Sequence, residues 1–133
     1  MNTSTLRTLT LRAGLAVAAA GSLSVVSCGP ELAPEISNLQ ATATQSSTGY
    51  DVDASFDFVD HQMDLVRAEV SFAGSDGARF GNGEVTLSGL ESAAVGSVNF
   101  SVFVDVDSIS GVTMYVVAVD AEGNASNELS VGL

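Results

Sequence analysis

Lysine and tryptophan are absent from this 133-residue chain, and cysteine and histidine occur once each. Each shortage excludes something. A lone cysteine, Cys28, cannot form an internal disulfide, a Cys-type zinc site or a Cys-x-x-Cys redox pair. A lone histidine, His61, excludes paired-histidine metal motifs and leaves few groups that titrate near neutrality. Only Arg7, Arg12, Arg67 and Arg79 are basic, against 16 acids, for a net charge of −12. No uncharged apolar run reaches the roughly 20 residues that a transmembrane helix needs. A Gly-x-Ser-x-Gly elbow, a phosphate loop and a dinucleotide glycine motif are all missing.

The charge is unevenly placed. Arg7 and Arg12 lie in the first dozen residues, and every acid lies at or beyond Glu31. Without the first 27 residues, two arginines oppose 16 acids, which gives 2 − 16 = −14. Such a domain repels phosphate, which argues against nucleic acid as a partner. The same charge disfavours direct adsorption to anionic lipid.

The first 27 residues read as a leader. Residues 1–12 are polar and cationic, and residues 13–26 are uncharged and mostly apolar. A short positive region, an apolar run of 7–15 residues and small residues before a cut site make a secretory signal peptide, here expected to be helical. Its end, Val25-Val26-Ser27-Cys28, is followed by Gly29-Pro30. This tetrapeptide resembles the lipobox of bacterial lipoproteins. In that family the thiol is joined to diacylglycerol, signal peptidase II cuts before the cysteine, and the new amino group is usually acylated. The resemblance implies cleavage between Ser27 and Cys28, lipid on Cys28, and a membrane held through that lipid. Val25 stands where leucine is commonest. Gly29 replaces the aspartate that retains many lipoproteins in the inner membrane, so in a cell with two membranes the family rule implies the outer one. Two or more acyl chains hold stably, at about 0.8 kcal/mol per buried methylene. The alternative cut, after Ala18-Ala19-Ala20, leaves Cys28 a stray thiol.

The organisation that follows is a signal peptide over 1–27, a lipidated cysteine and tether over 28–35, and one domain over 36–133. The tether, Gly29–Glu35, holds both prolines and no apolar periodicity. The domain alternates with period two, the mark of half-buried strands. In Tyr50–Val59 the apolar set is Tyr50, Val52, Ala54, Phe56 and Phe58, with Asp51, Asp53 and Asp57 opposite. Val66–Phe72 and Val98–Val106 alternate in the same way. Residues 74–83 read as glycine-rich turns, Val85 and Leu87 as a short strand, and residues 112–119 as a central strand apolar on both faces. Leu129, Val131 and Leu133 read as the last strand. Phe56, Phe58, Phe72, Phe100, Tyr115 and Val116 are the expected core. About seven strands in some 100 residues predict an all-β fold, an immunoglobulin-like antiparallel β-sandwich.

Two segments carry a second resemblance. Phe56–Val66 (FDFVDHQMDLV) looks like a recurring hairpin of bacterial immunoglobulin-like and fibronectin-III-like surface domains. Val117–Asn127 (VAVDAEGNASN) looks like the last hairpin of the same domains. These motifs bear on fold and are almost silent on function.

Candidate chemistry is sparse. Calcium needs about 6–8 oxygen ligands, and Asp60, Asp64, Asp57 and Asp120 are the carboxylates that turns can gather. The intervening His61-Gln62-Met63 offers few hard ligands, so solvated turn acids are the competing reading. Asp105-Val106-Asp107 misses the EF-hand glycine. Tyr115 reads as a core residue or as a corner tyrosine pinned by its hydroxyl. Arg67 is expected to meet a cross-strand carboxylate. A paired-carboxylate hydrolase has no obvious cleft in so small a sandwich. The expected function is a non-catalytic, membrane-anchored binding or scaffolding module of the cell envelope, without a cofactor and with an envelope protein or glycan as partner. A calcium-binding adhesion-like domain is the alternative, and a small hydrolase the remote one.

Overall fold

The computed structural model describes residues 11–19, 32–90 and 92–133. Ser27 and Cys28, the expected cleavage and lipidation site, lie outside the described residues. Among the described residues eight strands are formed: β1 (Leu11–Ala19), β2 (Glu35–Gln45), β3 (Tyr50–Val59), β4 (Leu65–Ala73), β5 (Arg79–Thr86), β6 (Val95–Val104), β7 (Thr113–Asp120) and β8 (Leu129–Gly132). They make two antiparallel sheets, ordered β1-β6-β3-β2 and β5-β4-β7-β8. Strands β2–β8 are the expected seven-stranded all-β sandwich, three strands against four. Among the described residues no helix is long and apolar enough to cross a membrane.

The core follows from alternation. Val52, Ala54, Phe56 and Phe58 of β3 and Val98, Phe100, Val102 and Val104 of β6 line one inner face. Ala68, Val70 and Phe72 of β4 and Met114, Val116 and Ala118 of β7 line the other, and all are buried. Phe56 meets Phe100 edge to face, with centroids 6.1 Å apart and rings at 65°. Each fully buried side chain of this size contributes about 1.5–3 kcal/mol.

Four expectations are corrected. Leu11–Ala19 is a strand paired with β6, where a signal helix was expected. A short isolated helix is marginal in water, whereas the edge of β6 offers ladder hydrogen bonds. Phe56–Val66 is not a hairpin, because β3 and β4 belong to different sheets. It is a corner between them. The segment read as turns over 74–83 contains most of β5. Gly81, at φ 61°, is the extra residue of a bulge opposite Ser71 and Phe72, a site where a left-handed glycine lets a strand continue. Phe80 beside it stacks on Phe72 at 6.1 Å and 24°. Finally, Tyr115 faces outward. Met114 and Val116 take the inward parity of β7, leaving Tyr115 half-exposed.

The second apolar motif does form a hairpin, β7–β8, extended by the bridge between Val119 and Ala125. One side chain then links the two sheets. Asn127 accepts the Ile36 N–H at 2.9 Å and donates to the Ile36 carbonyl at 2.9 Å. The amide replaces a ladder partner at the start of β2.

Candidate functional site

Of the four aspartates proposed as calcium ligands, three meet at one end of the sandwich. Asp60 directly follows β3 and Asp120 ends β7, and both are fully buried. Leu65, next to Asp64, pairs with Asp120 across the β4–β7 ladder, and the Asp64 carbonyl accepts the Ala121 N–H at 2.9 Å. Asp57 is elsewhere. It lies on the outer face of β3 and accepts hydrogen bonds from Asn38 and Ser97. Those two bonds, Asn38 first, hold its carboxyl below the ordinary range.

The two buried carboxylates are already occupied. Asp60 accepts N–H groups from Gln62 (3.2 Å), Asp64 (2.8 Å) and Leu65 (2.8 Å). Asp120 accepts those of Glu122 (3.0 Å) and Asn124 (2.7 Å), and the Asn124 side-chain amide at 2.9 Å. The devices are alike: a strand-ending aspartate turns back on its own loop and takes the N–H groups two and four residues on. A carboxylate accepting two or three such donors needs no cation to balance its burial. Within this loop Met63 donates its N–H to the Asp60 carbonyl at 3.1 Å and takes φ 57°, a left-handed conformation that a non-glycine residue adopts at a cost of about 1–2 kcal/mol.

Asp64 differs. Its Oδ1 is shielded from solvent and has no hydrogen-bond partner. Burial raises its carboxyl above the ordinary range, and the charges of Asp60, Asp120 and Glu122 add to the rise. An acid whose pKa is raised by folding destabilises the fold while ionised. That penalty is relieved as the pH falls through the folded pKa toward the lower unfolded value. Asp64→Asn is therefore expected to gain about 0.5 kcal/mol at pH 7, the usual scale for a part-exposed position. In urea titrations the gain shrinks toward acid pH, and an equal gain at every pH would contradict this origin.

Among the described residues no group of three or more His, Cys, Asp or Glu side chains is placed to hold a metal ion. Asp60 and Asp120 cap their own loops, and Asp64 alone leaves a carboxylate oxygen without a partner. The thermal midpoint is accordingly expected to be the same in calcium and in EDTA; a calcium-dependent rise would show that the loops open to admit the ion.

A second polar cluster lies on the outer face of the β5-β4-β7-β8 sheet. The Arg79 guanidinium sits 3.7 Å from the centroid of the Tyr115 ring. It donates to Ser71 at 3.0 Å and forms a two-point pair with Glu128 at 2.8 and 3.1 Å. This pairing raises the pKa of Arg79 and lowers that of Glu128. Arg67 meets Glu84 across the sheet at 3.5 Å, as expected, and also Glu69 at 3.3 Å. Exposed pairs of this kind contribute only about 0–1 kcal/mol. The trough beside them is shallow, and its charges are paired with one another. His61 is exposed in the β3–β4 loop.

Residue-type reasoning missed three participants: Asn127, Asn38 and the Arg79–Tyr115 stack. Asn38 alone left a local signal, because asparagine tolerates the left-handed φ of 55° that it adopts in the β2 bulge. No protein-family profile matches the chain, and no curated protein matches it.

Proposed function

We propose that the protein is an exported bacterial lipoprotein whose acidic β-sandwich serves as a non-catalytic binding or scaffolding module in the cell envelope. One observation carries the proposal: Val25-Val26-Ser27-Cys28 closes a cationic, then apolar, leader. In this reading cleavage precedes Cys28, the cysteine is lipidated, and Gly29–Glu35 spaces the sandwich from the membrane, the outer one where there are two. The two antiparallel sheets formed by β2–β8 support the sandwich part of this reading. The partner is an envelope protein or a glycan, met through loops or a strand edge. Loop-capping aspartates and self-paired surface charges support a module without catalytic groups.

Cell fractionation tests the anchor. The parent chain is expected in the membrane fraction, extractable by detergent and not by high salt. Cys28→Ala is expected to remain uncleaved, with its leader attached. Normal shortening of the Cys28→Ala chain would overturn the lipoprotein reading.

A further inference from the structure

Strand edges that expose unpaired N–H and C=O groups invite other strands, and proteins blunt them with charge, proline, bulges or short length. Three edges of this sandwich are blunted. β8 has only four residues. β2 carries the Asn38 bulge. β5 carries the Gly81 bulge and the charged Arg79 and Glu84. β6 has none of these features. Its sequence, VGSVNFSVFV, holds no charge and no proline, and its register with β3 is unbroken from Val59–Val95 to Tyr50–Val104.

The side of β6 away from β3 is occupied by β1, antiparallel, in two stretches: Leu11 and Arg12 opposite Val102 and Ser101, and, after a register shift, Ala16–Ala19 opposite Asn99–Gly96. β1 belongs to the segment that cleavage before Cys28 would remove. Resting on that processing, we infer that maturation vacates the edge of β6, and that this edge is where the module binds its partner: an extended, neutral or basic polypeptide segment rich in small apolar residues, added as a strand.

The chemistry of the occupant follows from charge and from the present one. Leu11–Ala19 contains four alanines, one arginine and no acid. The adjacent β3 presents Asp51, Asp53 and Asp57 on the outer face, and Asp105 and Asp107 follow β6. A second copy, itself carrying −14 after cleavage, would bring a like array against these acids. A neutral or basic strand meets no such repulsion. Main-chain hydrogen bonds would supply affinity, and alternate side chains selectivity.

Hydrogen exchange read by mass spectrometry tests the inference on two forms: the processed protein purified from membranes, and the uncleaved Cys28→Ala precursor. The amides of β6 are expected to exchange at least tenfold faster in the processed form, with β3 and β7 alike in both. The probe peptide LRAGLAVAA is expected to restore protection of β6 in the processed protein. The same peptide N-methylated at alternate residues, which removes ladder donors, is expected not to do so. Equal β6 exchange in the two forms, or peptide binding that leaves β6 unprotected, would overturn the inference. So would a dimer of the processed protein that protects β6, because the occupant would then be a second copy. The mass of the purified chain separates the two proposals: a retained leader refutes the processing, whereas a processed chain with an unresponsive β6 refutes only the edge.

Discussion

Replacing Asp60 by alanine is expected to destabilise the domain by about 3–5 kcal/mol, since each buried donor left without an acceptor costs about 1–3 kcal/mol. Three N–H groups lose their acceptor together, those of Gln62, Asp64 and Leu65. The Leu65 bond is fully buried, so water cannot readily replace it. The loop also carries Met63 in a left-handed conformation. Asp60→Asn keeps one carbonyl oxygen and presents an amide to the remaining donors, so a smaller loss of about 1–2 kcal/mol is expected. Asp57→Ala is the control: an aspartate three positions earlier, on the outer face, with an expected change of about 1 kcal/mol or less. Urea denaturation at neutral pH ranks the three. If Asp60→Ala and Asp57→Ala were alike, the buried carboxylate would not be a structural cap.

The loss expected for Phe56→Ala is of similar size, about 3–5 kcal/mol, the range for truncating a buried aromatic side chain. Phe56 is 1 % exposed and lies at the middle of the core, edge to face with Phe100. Both belong to the β3–β6 pair, so the cavity opens inside one sheet's inner face and the β-ladder restrains its collapse. A domain of this size has only about 5–15 kcal/mol in total, and with one cysteine it has no internal disulfide to offset the loss. Tyr115→Ala offers the contrast. The same removal of a ring on the outer face breaks only the stack with Arg79, with an expected loss of about 1 kcal/mol. A larger loss at Tyr115 than at Phe56 would contradict the assignment of inner and outer faces.

How far these features could be read from residue order depends on the element. β3 was legible in full, because one face meets the core and the other meets water, and Tyr50–Val59 alternates without interruption. β7 was legible as a strand but not in its parity. Residues 112–119 are apolar on both faces, so alternation could not tell Tyr115 from Met114; packing against β4 decides that. β2 was hidden by its bulge, which changes the spacing of apolar residues from Ile36 to Leu39 before Ala41 and Ala43. β5 was legible only at its end, near Val85; its first part, Arg79–Gly83, was hidden by glycines that usually mark turns, of which Gly81 here serves a bulge. The strand formed by Leu11–Ala19 depends on a distant edge, β6, which no local pattern announces.

The capping aspartates are more instructive. Asp60 shares the inward parity of Phe56 and Phe58, and Asp120 shares that of Val116 and Ala118. An acid that continues the buried register at the end of a strand is placed to turn back on its own loop. Residue type alone, which groups these carboxylates as possible cation ligands, does not carry that signal. Parity separates Asp57, which faces out, from Asp60, which faces in.

The central claim of a lipidated, processed N-terminus is tested most directly by mass spectrometry of the mature chain's first peptide. The account predicts a peptide beginning at Cys28 and carrying covalently bound acyl chains. A peptide beginning near Gly21 with an unmodified Cys28, or an intact leader in the parent protein, would contradict it.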